Sequence, residues 1–155
     1  MELKPITGTL AATKQPDFIV PAAPAQTYFS VAENLMPGVR VLAKEPQCAI
    51  ALCMLCAHVV ECLLKAYASK ALGSEAAVRK RDIQHNLDAL WKLAISEGLR
   101  AAPSPPEWVS HLRHLHDSPY FLRYSTEVHG IVLPATEQMV TELAALLELI
   151  RTQIR

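Results

Sequence analysis

One segment constrains this chain more than any other: residues 46–72 read as a single long helix that is apolar almost all the way round. Proline opens it at Pro46 and Gly73 stands just past Leu72, the usual asymmetry of helix start and stop signals. From Cys48 to Val60 no polar face interrupts it. A helix without a wet face has to be covered on every side, so the other elements are expected to pack around it as a bundle. Composition agrees, with 22 alanines and 21 leucines against 5 glycines in 155 residues, where a turn-rich all-β chain wants the reverse. The longest strictly apolar run, Cys48 to Ala57, is ten residues, about half of what a bilayer span requires. His58, Glu61 and Lys65 follow it, and the first 18 residues hold no apolar core of a signal peptide. The expectation is a single all-α domain, cytoplasmic and without membrane contact.

The remaining elements follow from local signals. Residues 1–26 carry four prolines and no helical period, and read as an extended arm before a body spanning 27–155. A first helix is expected from Gln26 or Thr27, kinked or interrupted at Pro37-Gly38. Asn86 caps a helix whose Leu87, Leu90, Trp91, Ala94 and Ile95 form an inward stripe closed by Gly98. Ser104-Pro105-Pro106-Glu107 has the form of a capping box, opening a helix that turns Trp108, Leu112 and Leu115 inward and stops by Asp117. The last helix is expected near Pro134, burying Met139, Leu143, Leu146, Leu147, Ile150 and Ile154, with Glu137, Glu142 and Glu148 facing water. The whole reads as an antiparallel up-and-down bundle of four to five helices with an extended N-terminal arm.

Charge excludes one class of function. Fifteen basic residues balance fifteen acidic ones, which is not the excess of a protein that coats nucleic acid. Cys53-x-x-Cys56 lacks a second ligand pair and sits in mid-helix, away from the N-terminal dipole that activates redox thiols. Buried small hydrophobes are the better reading of all four cysteines. Glu107, His111 and His114 share a stripe and offer metal-ligand types, although a polar stripe at a solvated surface explains them as well. No metal or cofactor is expected. Arg79, Lys80 and Arg81 form a basic loop. Glu61 admits two readings: an i, i+4 ion pair with Lys65 on the helix edge, or a carboxylate pointing inward to hold a buried arginine, for which Arg123 is the candidate.

The segment Leu122 to Gly130 contains an arginine and a histidine, a permanent cation suited to phosphate and a group that exchanges protons near pH 7. Arg123 and His129 suffice in principle for metal-free RNA cleavage, one stabilising phosphorane charge and the other moving the proton. Six positions apart they do not share a helix face, being offset by about 240°. They meet only if the segment turns or if two subunits bring their copies together.

Three pieces, in this order and spacing, resemble the HEPN superfamily of small helical domains over residues 27–155. AHVVECLLKAYASKALG is similar to the family's central helix, with Glu61 and Lys65 at its acidic and basic positions. QHNLDALWKLA is similar to the opening of its third helix through His85, Asn86 and Leu87. Arg123 to His129 fits its ribonuclease pattern, with Tyr124 where catalytic members often carry a small polar residue. The resemblance implies a four-helix core that pairs as a homodimer. In catalytic members the facing arginine–histidine copies cleave RNA without metal; other members are non-catalytic interaction or small-ligand modules, toxin–antitoxin components or partners of nucleotidyltransferases. The expected site is therefore Arg123 and His129 as catalytic residues and Glu61 in support, with Arg79, Lys80, Arg81 and Arg113 contacting RNA. The expected partners are a second copy, RNA, and a cognate antitoxin or nucleotidyltransferase.

Overall fold

The structure, a computed structural model, describes residues 23–117, 120–124 and 129–154. Among them all regular structure is helical: α1 (Pro24–Leu42), a 3₁₀ turn (Pro46–Cys48), α2 (Ala49–Leu72), α3 (Leu87–Ser96), α4 (Glu107–His116) and α5 (Thr136–Ile154).

The apolar segment does what its composition demands. From Leu52 to Ser69 nearly every residue of α2 is buried, and α1, α3, α4 and α5 each pack against it. Leu63, Leu64, Val59 and Val60 meet Leu87, Leu90, Leu112, Met139, Leu143 and Ile150 in one continuous core. Each such side chain contributes roughly 1.5–3 kcal/mol by leaving water. With its preceding turn the helix is 27 residues long and apolar enough, by length and composition, to cross a membrane. The ten-residue count understates it, because the scattered polar groups Glu61, Lys65 and Ser69 are themselves buried against the surrounding helices. Gly73 ends α2 at φ 64°, a left-handed conformation that costs glycine nothing and lets its N–H return to the Lys70 carbonyl.

α1 corrects two expectations. It begins at Pro24, so residues 24–26 form its first turn rather than the end of an arm; residues 1–22 lie outside those described. It also runs without a break through Pro37 to Leu42. The proline removes one hydrogen bond, but Ala32, Met36 and Val39 are buried on α2 across that point, and tertiary packing keeps the helix whole. Gly38 serves packing: a Cβ there would stand 3.1 Å from Leu55 Cδ2.

α3 follows its cap, Asn86 Oδ1 accepting the Ala89 N–H at 3.0 Å. The expected capping box of α4 does not form. Pro106 is the N-cap residue, and no side chain caps the helix. α5 begins at Thr136 and buries Met139, Leu143, Leu146, Leu147 and Ile150, with Ile154 half-buried. Glu142 departs from its expected exposure: half-buried, it accepts the Trp108 indole N–H at 2.6 Å and ties α5 to α4. At the far end of α5, Arg151 reaches Glu33 of α1 at 2.7 Å and also bonds Glu148.

Candidate functional site

Glu61 sits near the middle of α2's buried stretch, with only 3% of its surface exposed. An isolated carboxylate there would be prohibitively costly, so its partners decide its state. Lys65, one turn on, donates to Oε1 at 2.6 Å. His116, in the last turn of α4, lies 2.8 Å from Oε2 through Nε2, and His85, just before the α3 cap, lies 3.2 Å from the same oxygen through Nδ1. Burial pushes the Glu61 carboxyl up, but bonds from His116, Lys65 and His85 outweigh it and hold the group down to about 2. An ionised carboxylate only accepts hydrogen bonds, so both imidazoles donate to it. The two rings meet edge to face, centroids 6.3 Å apart, and the Lys65 ammonium lies 5.7 Å from the centre of the Tyr28 ring. One anion thus joins α2 to α4 and to the loop before α3.

Arg123 is not among these partners, which corrects the expected Glu61–Arg123 pair. Both carboxylate oxygens are already taken, and the ion pair with Lys65 is buried rather than at the helix edge. Two imidazole nitrogens and a carboxylate oxygen within 4.8 Å of one another form a set of metal-ligand types. Lys65, however, already supplies the counter-charge a cation would bring, and a dication would face that like charge at close range.

His116 links the buried anion to an open cavity of about 420 Å³. Leu42, Ala51, Met54, Leu55 and Leu122 make its apolar wall, and His58, His116 and Arg123 supply its polar groups. On α2 the residues 51, 54, 55 and 58 fall at i, i+3, i+4 and i+7, so one face of the helix forms the floor. Arg123 is placed by a turn after α4. The Leu122 N–H bonds the Leu115 carbonyl at 3.1 Å, the Arg123 and Tyr124 N–H groups both return to the Tyr120 carbonyl, and Leu122 is buried as a plug. Tyr120 adopts φ 64°, a left-handed conformation uncommon outside glycine, and its ring lies 5.6 Å from the Arg123 guanidinium. That guanidinium is exposed and bonds no carboxylate among the described residues. His58 is exposed on the same cavity. Partial desolvation lowers its pKa, the Glu61 charge opposing and His116, Lys65 and Arg123 reinforcing the shift, so its imidazole is neutral at pH 7.

The other expected residues do not gather here. His129 is exposed, and residues 125–128 between it and Arg123 lie outside those described. Arg79, Lys80 and Arg81 are exposed, Arg79 bonding Glu75 at 3.0 Å, and Arg113 lies 3.8 Å from Asp88. None of the four lines the cavity. Glu107 and His111 border a separate shallow pocket without His114, so that stripe brings no three ligands together.

Three of the four cysteines are the buried small hydrophobes expected, and Cys48 is only half-buried. Cys53, Cys56 and Cys62 are buried and free, and burial pushes them up to about 11, 12 and 12. They remain protonated and chemically quiet.

His85 and His116 are the site residues that sequence reasoning missed as partners of Glu61. His116 had a signal: with Val109 and Leu112 it falls at i, i+3 and i+7 on the inward stripe of α4, whereas His111 and His114 lie off it. No protein-family model, curated protein or solved structure matches the chain.

Proposed function

We propose that this chain is a HEPN-like domain, an antiparallel up-and-down bundle that pairs with a second copy and cleaves RNA without a metal. The observation that carries the reading is an exposed arginine, Arg123, uncommitted to any described carboxylate and sharing a cavity with a neutral imidazole, His58. Arg123 binds the scissile phosphate and stabilises charge on the phosphorane. A neutral histidine takes the 2′-hydroxyl proton, and a protonated one returns a proton to the 5′-oxygen as it leaves, giving a 2′,3′-cyclic phosphate. His129 is the histidine of the family pattern; His58 is the one that faces the cavity with Arg123. Glu61 acts at one remove, by fixing His116 in the cavity wall. The setting is cytoplasmic, with a cognate antitoxin or nucleotidyltransferase as partner protein.

The test is incubation of the pure chain with mixed RNA in EDTA, beside Arg123→Ala, His129→Ala and His58→Ala. Cyclic-phosphate ends are expected from the wild type. Activity should fall on the order of 10²–10³-fold in Arg123→Ala and at least 10²-fold in one histidine variant. Arg123→Ala cutting as fast as wild type overturns the reading.

A second reading is a non-catalytic module that binds a small ligand or a partner. The apolar wall of the cavity favours it, because phosphodiester chemistry makes no use of five aliphatic side chains. Under that reading no variant cleaves RNA.

A further inference from the structure

The cavity is graded along its length. Ala51 and His58 are seven residues apart on α2, about 10 Å along the helix. Between them the floor is Met54 and Leu55, with Leu42 and Leu122 as walls; the polar groups His58, His116 and Arg123 complete the lining. A volume of about 420 Å³ lies within the range of small-molecule sites, which are mostly apolar with a few convergent polar groups. Among the described residues no acidic side chain lines it. The nearest buried anion, Glu61, has both oxygens engaged by Lys65, His85 and His116, so it does not neutralise Arg123.

We propose that this cavity binds a small amphiphilic anion, its oxyanion head paired with Arg123 and its apolar body, about 10 Å long, lying along Leu55 and Met54 toward Ala51. A cationic ligand meets a guanidinium that no described carboxylate pairs. A neutral one gains the apolar contacts but forgoes the ion pair with that guanidinium. A carboxylate or a phosphate monoester matches the planar fork of donors that arginine presents. The inference rests on the cavity and not on RNA cleavage: its readout is binding, so either proposal can fail while the other stands.

The experiment is calorimetric titration of the full chain, each probe kept below its micelle concentration, with octanoate, octyl phosphate, 1-octanol, octylamine, acetate and inorganic phosphate. Saturable one-site binding is expected for octanoate, octyl phosphate or both, which identifies the head group. Octanol and octylamine should bind at least tenfold more weakly, and acetate and phosphate not measurably at millimolar concentration. Arg123→Gln, at an exposed position, should weaken the anion by about tenfold to a hundredfold while leaving octanol unchanged. Ala51→Trp, also exposed, should fill the cavity and abolish both, with thermal melts of both variants showing that they fold. Equal affinity for octanol and octanoate, no effect of Arg123→Gln, undiminished binding in Ala51→Trp, or no saturable binding of either anion overturns the proposal.

Discussion

Replacing Glu61 by glutamine keeps the shape of the side chain and removes its charge from beneath Lys65, His85 and His116. Lys65, 6% exposed, is left as a buried cation without an anion, and breaking a buried pair in this way costs about 3–5 kcal/mol. The carboxyl itself gives a concordant figure. Held at about 2 where 4.5 is ordinary, it contributes roughly 3 kcal/mol to folding at neutral pH. For a domain of this size the melting temperature should fall by roughly 10 °C. The sign of the pH dependence follows from the lowered value: the stabilisation is complete above about pH 4.5, fades as pH falls toward 2, and is gone below. Urea unfolding of wild type and Glu61→Gln at pH 7, and again in steps from pH 5 to 2.5, measures both quantities. The two curves should converge as the solution is acidified. Adding Lys65→Met to Glu61→Gln should recover part of the loss, because no unpaired charge then remains. A Glu61→Gln variant within about 0.5 kcal/mol of wild type at pH 7, or a gap that does not narrow in acid, refutes the view of Glu61 as the charged hub joining α2, α4 and the loop before α3.

Two other predictions concern parts of the chain remote from that hub. In native protein at pH 8, a thiol reagent should modify the half-buried Cys48 first, while Cys53, Cys56 and Cys62, buried and pushed up to about 11, 12 and 12, react only after denaturation; mass spectrometry of peptides from briefly alkylated protein reads the order, and early labelling of Cys56 contradicts it. Asn86→Ala should cost about 1 kcal/mol in urea unfolding, from the lost bond to the Ala89 N–H; a change below about 0.3 kcal/mol would mean that this cap does not hold α3.

Local signals carried the fold a long way. The Asn86 cap, Gly73 and the inward stripes of α3 and α5 lie where short-range chemistry puts them. The failures are tertiary. Pro37 reads as a break because sequence shows the lost hydrogen bond and not the α2 surface on which Met36 and Val39 are buried. Ser104 and Glu107 have capping-box spacing, but the prolines between them make Pro106 the N-cap residue, and neither side chain caps α4. At the site, a buried role for Glu61 was legible from its place beyond an apolar run, and Lys65 from its i+4 spacing. Its other partners come from 24 and 55 residues away, and no local pattern reports a pairing over that distance. Arg123 was picked out by residue type and by its spacing to His129, and its neighbour in the cavity is His58, not Glu61.

Gly38 gives that cavity a control point outside its own lining. The leucine that a side chain at 38 would strike, Leu55, has its other side on the cavity floor. The absence of a Cβ at Gly38 therefore leaves Leu55 its room on the α1 side, and Leu55 is part of the cavity floor. A methyl group added at this position, on the helix that also brings Leu42 to the cavity, would make Leu55 give by a few tenths of an ångström and so shift the floor. The position of the cavity floor is in this sense tied to a residue outside the cavity's own lining.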